Sequence, residues 1–236
     1  MRRVLALGLM LGLLGPFLAA APTAQQKQAR EALRELQDFI GGWNGSGGPD
    51  KPRPSPRDPI WSENIDWGWR FKGDDAWLVI AVKGGKYLNG GEVRYLPAKK
   101  VYQLTATLAD GKKAVFEGTL KDEALTFERT DPATKQTQQL KMNIAGDGVR
   151  FIYRYATRAE DSTVWRKEYV VASTKLGESL GKKEAKNECV VSGGLGTMAV
   201  SYMGETYYVC CSGCADEFRA NPKKYVDEYK AKKAKK

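Results

Sequence analysis

The spacing of apolar positions changes character along the chain, and each change predicts a different element. An apolar run from Val4 to Leu14 follows Arg2 and Arg3 and gives way to Gly15-Pro16 and then Ala19 to Ala21. A basic start, a short apolar stretch and small residues form the pattern of a secretory signal peptide. Cleavage is expected between Ala20 and Ala24. The run is too short, and too soon broken by Pro16, to serve as a membrane anchor. No cysteine lies near the cleavage region, which excludes a lipid anchor on cysteine, and no other segment reads as a membrane span. From Gln25 to Ile40 the period becomes helical: Ala29, Leu33, Leu36 and Ile40 recur at three- and four-residue steps, with Ala32 and Phe39 widening the face. Gly41-Gly42 stops that helix. Residues Asn44 to Pro59 are rich in Gly, Pro, Ser and Asp and read as a loop.

From Trp61 to Thr174 the pattern is short and alternating. Runs such as Ala76 to Val82, Gly91 to Tyr95, Val101 to Leu108, Ala114 to Leu120, Ala124 to Arg129, Val149 to Tyr155 and Val164 to Val171 predict strands. Turn signals separate them, among them Asn89-Gly90-Gly91, Ala109-Asp110-Gly111 and Lys121-Asp122-Glu123. Seven or eight strands with hairpin turns predict an antiparallel meander, and closing it into a barrel would remove the exposed edges. Trp67 and Trp69 alternate and so share one strand face. Together with Trp61 they are candidates for the wall of a ligand cavity, or for ordinary barrel core.

Gly41-Gly42-Trp43, placed after a short helix and before an all-β meander, resembles the Gly-x-Trp start of lipocalin-like barrels. The resemblance covers roughly residues 36 to 174 and implies an up-and-down β-barrel whose tryptophan closes one end under a basic side chain from the last strand. Trp43 takes the first role. Arg166 is the first candidate for the second, and Arg154 the next. The resemblance names no ligand.

Residues 175 to 187 are polar and charged and read as a linker. Beyond it lie all four cysteines: Cys189, Cys210, Cys211 and Cys214. Glu188 to Gly194 reads as a turn carrying a thiol, Met198 to Tyr202 and Thr206 to Val209 as a small hairpin, Ala215 to Ala220 as a helix, and the segment from Asn221 as a second helix opened by Pro222. A hairpin returns its end to its beginning, so Cys189 and Cys210 can meet. One helical turn would set Cys210 and Cys214 on the same side. A helix start favours thiolate over thiol, and thiolates are the ligands that Cu(I), Zn(II) and similar soft ions prefer.

The run Tyr202-Met203-Gly204-Glu205-Thr206-Tyr207-Tyr208-Val209-Cys210-Cys211-Ser212-Gly213-Cys214, preceded by Cys189 and followed by Phe218 and Asn221-Pro222-Lys223-Lys224-Tyr225, resembles the YHS and TRASH family of cysteine modules in metal-handling proteins. The resemblance spans roughly residues 187 to 229 and implies a soft metal ion, Cu(I) or Zn(II), on Cys189, Cys210 and Cys214. In the first turn the family often carries a proline and a histidine or methionine; here Val190, Val191 and Ser192 stand instead. A fourth ligand could therefore come from Cys211, water or a partner protein that exchanges the metal. Outside the cytoplasm the same cysteines could instead form disulfides, and Cys211-Ser212-Gly213-Cys214 admits a thiol-oxidoreductase reading without the βαβ context it needs.

Charge and composition narrow the function classes. The chain of 236 residues has a net charge of +10, and seven lysines between Lys223 and Lys236 stand against only Asp227 and Glu228. This basic tail reads as a solvated helix end, with no nucleic-acid partner implied. Histidine is absent, which excludes Ser-His-Asp and Cys-His nucleophilic sites and zinc sites built on HExxH. No convergent acid/base pair suggests an enzyme. The expected organisation is a signal peptide at 1–24, a barrel domain with its leading helix at 25–174, a linker at 175–187 and a cysteine module with a basic tail at 188–236. Two functions follow: an exported soft-metal-binding protein, periplasmic or extracellular, whose barrel is a scaffold or partner surface, or a carrier of a small apolar ligand with a disulfide-stapled appendage.

Overall fold

The computed structural model describes residues 22–53, 55–177 and 187–234. The signal-peptide run and most of the expected linker lie outside the described residues. Among the described residues, no helix is long and apolar enough to cross a membrane.

Helix α1 (Ala24–Arg34) opens with a capping box: Thr23 Oγ1 accepts from Gln26 N at 3.2 Å, and Gln26 Oε1 accepts from Thr23 N at 2.8 Å. The helix is shorter than its apolar pattern predicts, and a 3₁₀ turn (Gln37–Phe39) carries Phe39 inward. The Tyr102 hydroxyl donates to the Ala32 carbonyl at 2.8 Å, which ties α1 to the barrel wall.

The barrel is an antiparallel meander of ten strands, closed by pairing of the first with the last. The strands are β1 (Gly41–Pro49), β2 (Trp61–Lys72), β3 (Asp75–Lys83), β4 (Leu88–Leu96), β5 (Val101–Leu108), β6 (Lys113–Lys121), β7 (Ala124–Thr130), β8 (Thr137–Ala145), β9 (Arg150–Arg158) and β10 (Arg166–Lys175). Two expectations are corrected here. Asn44 to Pro49 belongs to β1 and not to a loop, and from Trp61 onward the meander has nine strands, one or two more than the alternation predicts. The β6–β7 turn places Asp122 and Glu123 at φ 49° and 60°, the left-handed geometry that a tight hairpin requires.

Inward positions alternate along each strand and fill the barrel. Trp43, Trp67, Phe116, Phe127 and Phe151 are all fully buried. Trp67 sits 5.3 Å from Phe39 and 6.2 Å from Phe151, ring centre to ring centre. The void among Trp67, Ile80, Met142, Phe151 and their neighbours is about 10 Å³, room for about one water. Trp61, Trp67 and Trp69 share the inner side of β2, and there Trp67 and Trp69 are packed core. Near Trp61, the Glu63 carboxylate is buried and satisfied, accepting from the Tyr153 hydroxyl at 2.6 Å and from Trp61 Nε1 at 2.8 Å.

Trp43 is fully buried, and its Nε1 donates to the Phe39 carbonyl at 2.8 Å. The cation over its ring is Lys175, at 5.0 Å, because the register sets Trp43 opposite Lys175. Arg166 lies at the other end of β10, pairs with Glu168 at 2.7 Å and does not reach the tryptophan. Arg154 faces Asp50 at 3.7 Å.

One mismatch in strand length positions everything that follows. β1 begins at Gly41, opposite Trp67, whereas β2 continues to Lys72. Beyond Trp67, β2 keeps its β3 neighbour but has no β1 neighbour. An unpaired strand edge presents backbone donors and acceptors that need partners.

Candidate metal centre

The C-terminal segment supplies those partners. It comprises the two-residue strands β11 (Asn187–Glu188) and β12 (Leu195–Gly196), the hairpin β13 (Met198–Tyr202) and β14 (Glu205–Val209), and helices α2 (Ser212–Ala220) and α3 (Pro222–Lys233). The hairpin and both helices fall close to where the sequence predicts them. β11 and β12 are an addition: they close a small loop that carries Cys189.

Three separately anchored pieces of backbone deliver the sulfurs. Cys189 lies beside β14: it forms a parallel bridge with Tyr208, and Val190 N donates to the Tyr208 carbonyl at 2.9 Å. The loop is cinched by Gly193 N donating to the Cys189 carbonyl at 2.8 Å. Cys210 follows directly on β14, and Cys211 is the N-cap of α2. Cys214 lies in the first turn of α2 and is fully buried. Cys210 therefore reaches Cys214 from a strand end and not from within one helical turn, as the spacing alone suggested. Behind the site, Phe218 packs against Tyr207 at 6.0 Å, and Tyr225 is fully buried with its hydroxyl 2.6 Å from Glu217.

The Sγ atoms of Cys189, Cys210 and Cys214 all lie within 4.8 Å of one another, and all three residues are buried. Cys210 and Cys214 are 3.5 Å apart, sulfur to sulfur. All four cysteines are free. Three sulfurs about 2.3 Å from one ion lie about 4.0 Å apart in a trigonal arrangement, so the 3.5 Å pair must open slightly and no other pair must close by more than about 0.8 Å for the trio to share an ion. Cys211 stands outside this set. Its sulfur is 3.9 Å from that of Cys210 and accepts from the backbone N–H of Trp69 at 3.3 Å. That N–H lies just beyond the start of β1, which pairs with β2 only as far as Trp67, so the Cys211 sulfur takes up a donor that β1 does not reach.

The docking is close. A Cβ on Gly213 would lie 1.8 Å from the Trp69 carbonyl oxygen, so only glycine lets α2 approach β2 this far. On the other flank Arg30 of α1 bonds the Val191 carbonyl at 3.3 Å and the Tyr225 hydroxyl at 3.4 Å. Barrel, helix and cysteine segment thus share one interface.

Proton sharing organises the thiols. Cys189 and Cys211 are held far below the usual thiol range, each first by hydrogen bonding from Cys210 and then from Cys214. Cys210 and Cys214 are pushed up, each first by its bond to Cys189. Desolvation raises the carboxyl of Asp66, and the Cys211 charge raises it further. The cluster is a set of soft donors in which some sulfurs carry charge and others carry the protons an arriving cation would displace.

Sequence reasoning missed Ser192 as part of this centre. Its backbone N–H donates to Cys189 Sγ at 3.4 Å, and its hydroxyl lies 3.4 Å from Cys210 Sγ. The signals were its position three residues after Cys189 and its place in the turn where the resembled family often carries a histidine or methionine.

Comparison with known proteins places this segment. Residues 197–229 match the YHS domain, a range that includes Cys210, Cys211 and Cys214 and begins after Cys189. No curated protein matches the chain. Among solved structures the chain is similar to the crystal structure of Rv2717c from M. tuberculosis, at 16% identity and a TM-score of 0.38, over 61% of this chain and 96% of that one.

Proposed function

We propose that this is an exported protein that handles a soft metal ion, held by Cys189, Cys210 and Cys214, with the barrel as the scaffold on which the cysteine module is mounted. One observation carries the reading: three buried sulfurs, brought from a loop, a strand end and a helix start, lie within 4.8 Å of one another. Three thiolates, with no carboxylate or imidazole in the group among the described residues, suit Cu(I), and Zn(II) less well, because structural zinc sites are almost always four-coordinate. The bound ion would be presented to, or received from, a partner protein in a periplasmic or extracellular compartment. The basic start and short apolar run of the first residues support export. The role is capture and exchange, not catalysis.

The carrier alternative has against it the small size of the void inside the barrel, about 10 Å³. The test is direct. The chain lacking its first 24 residues is purified reduced beside Cys210→Ser and Cys214→Ser variants, and metal is measured by elemental analysis. Stoichiometric metal that disappears in both variants is the expected result. A metal-free chain with intact disulfides by mass spectrometry sinks the proposal.

A further inference from the structure

One further polar side chain touches the sulfur trio. Ser192 is 4% exposed, its N–H points at Cys189 Sγ, and its hydroxyl faces Cys210 Sγ. We propose that Ser192 is the specificity-determining residue of the centre: it occupies the place of a fourth ligand with a neutral hydroxyl, confining the ion to three thiolates and favouring Cu(I) over Zn(II). This deepens, and rests on, the reading of the trio as a soft-metal site.

Three observations support it. The fourth thiol is engaged elsewhere, since the Cys211 sulfur accepts the Trp69 N–H at 3.3 Å. Ser192 and Cys189 both line a cleft of about 530 Å³, bounded by Glu31 and Arg34 of α1 and by Glu228 and Lys232 of α3. An ion or an added ligand arriving through that cleft meets Ser192. Finally, a serine hydroxyl adds no charge and is a hard oxygen donor. It is a poor ligand for Cu(I), yet as a hydrogen-bond donor it stabilises a thiolate without competing for the ion. Zinc, which needs a fourth strong ligand, gains little from it.

The test uses Ser192→Cys and Ser192→Ala in the reduced protein. Cu(I) and Zn(II) affinities are measured by competition with chromophoric chelators, and the number of sulfur ligands is read by X-ray absorption. The wild-type protein should hold Cu(I) with three sulfurs. Ser192→Cys should raise Zn(II) affinity by about tenfold or more and add a fourth sulfur, with a smaller change for Cu(I). Ser192→Ala should keep three sulfurs and weaken Cu(I) by about tenfold. An unchanged preference between the ions in Ser192→Cys overturns the proposal. If that variant does not fold, wild-type Cu(I) affinity in Ser192→Ala overturns it instead. A wild-type protein that binds neither ion, and behaves like Cys210→Ser, would refute the metal reading itself.

Discussion

At the scale of single residues, the chemistry of the site is a matter of where protons rest. Cys210 and Cys214 are pushed up by their bonds to Cys189, so they stay protonated through neutral pH. A binding ion must displace those protons. Apparent metal affinity should therefore rise with pH, by about tenfold per pH unit for each proton released. Chelator competition at several pH values checks this, and an affinity independent of pH would contradict it. The thiols themselves were legible in the sequence, because clustering and spacing survive without knowledge of contacts. The partner of Trp43 was not. Arg166 and Lys175 lie at opposite ends of the same strand, and only the β1–β10 register decides between them. That register stayed hidden as long as residues 44–49 read as a loop. Ser192 was visible only as a departure from the family's first turn, and its contacts with two sulfurs appear only in the folded loop.

At the scale of elements, glycine misled in β1 and decides the docking of α2. Gly45 lies under Ser173, and Gly47 lies under the Trp61 ring, where a Cβ would come within 2.2 Å of each. These glycines make room for large neighbours across a sheet, yet their composition is that of a turn. At Gly213 the obstruction is backbone, the Trp69 carbonyl at 1.8 Å, which cannot swing aside. Gly213→Ala should push α2 off the strand edge and cost about 1–3 kcal/mol, the usual range for overpacking. Gly68→Ala is the matched control. Its added Cβ would meet Cys211 Cβ at 3.8 Å and nothing closer than 3.6 Å, an ordinary contact. Denaturant melts of the two variants should differ clearly. Equal stability would mean that the helix does not approach β2 as closely as described. The helices and the C-terminal hairpin were legible because their periods and turn residues agree, whereas β8 buries only Leu140 and Met142 along its length and offers little alternation to read.

At the scale of the whole molecule, a filled barrel carries a cysteine centre on its unpaired edge. The core should respond to truncation: Trp67→Ala removes a fully buried side chain and should cost about 3–5 kcal/mol. Apolar probe ligands should leave the tryptophan fluorescence of the native protein unchanged, and a saturable response would restore the carrier function. An ion bound only by the folded state should raise thermal stability, by about 2.7 kcal/mol at a hundredfold excess over the dissociation constant. A melt unaffected by chelator would argue against any such linkage. The contact between Trp69 N and the Cys211 sulfur has a further consequence. That amide belongs to the barrel, but its acceptor belongs to the thiol cluster. Its proton resonance and its rate of exchange with deuterated solvent should change whenever the cluster is oxidised or loaded, so the state of the sulfurs can be followed from a nucleus on the barrel wall.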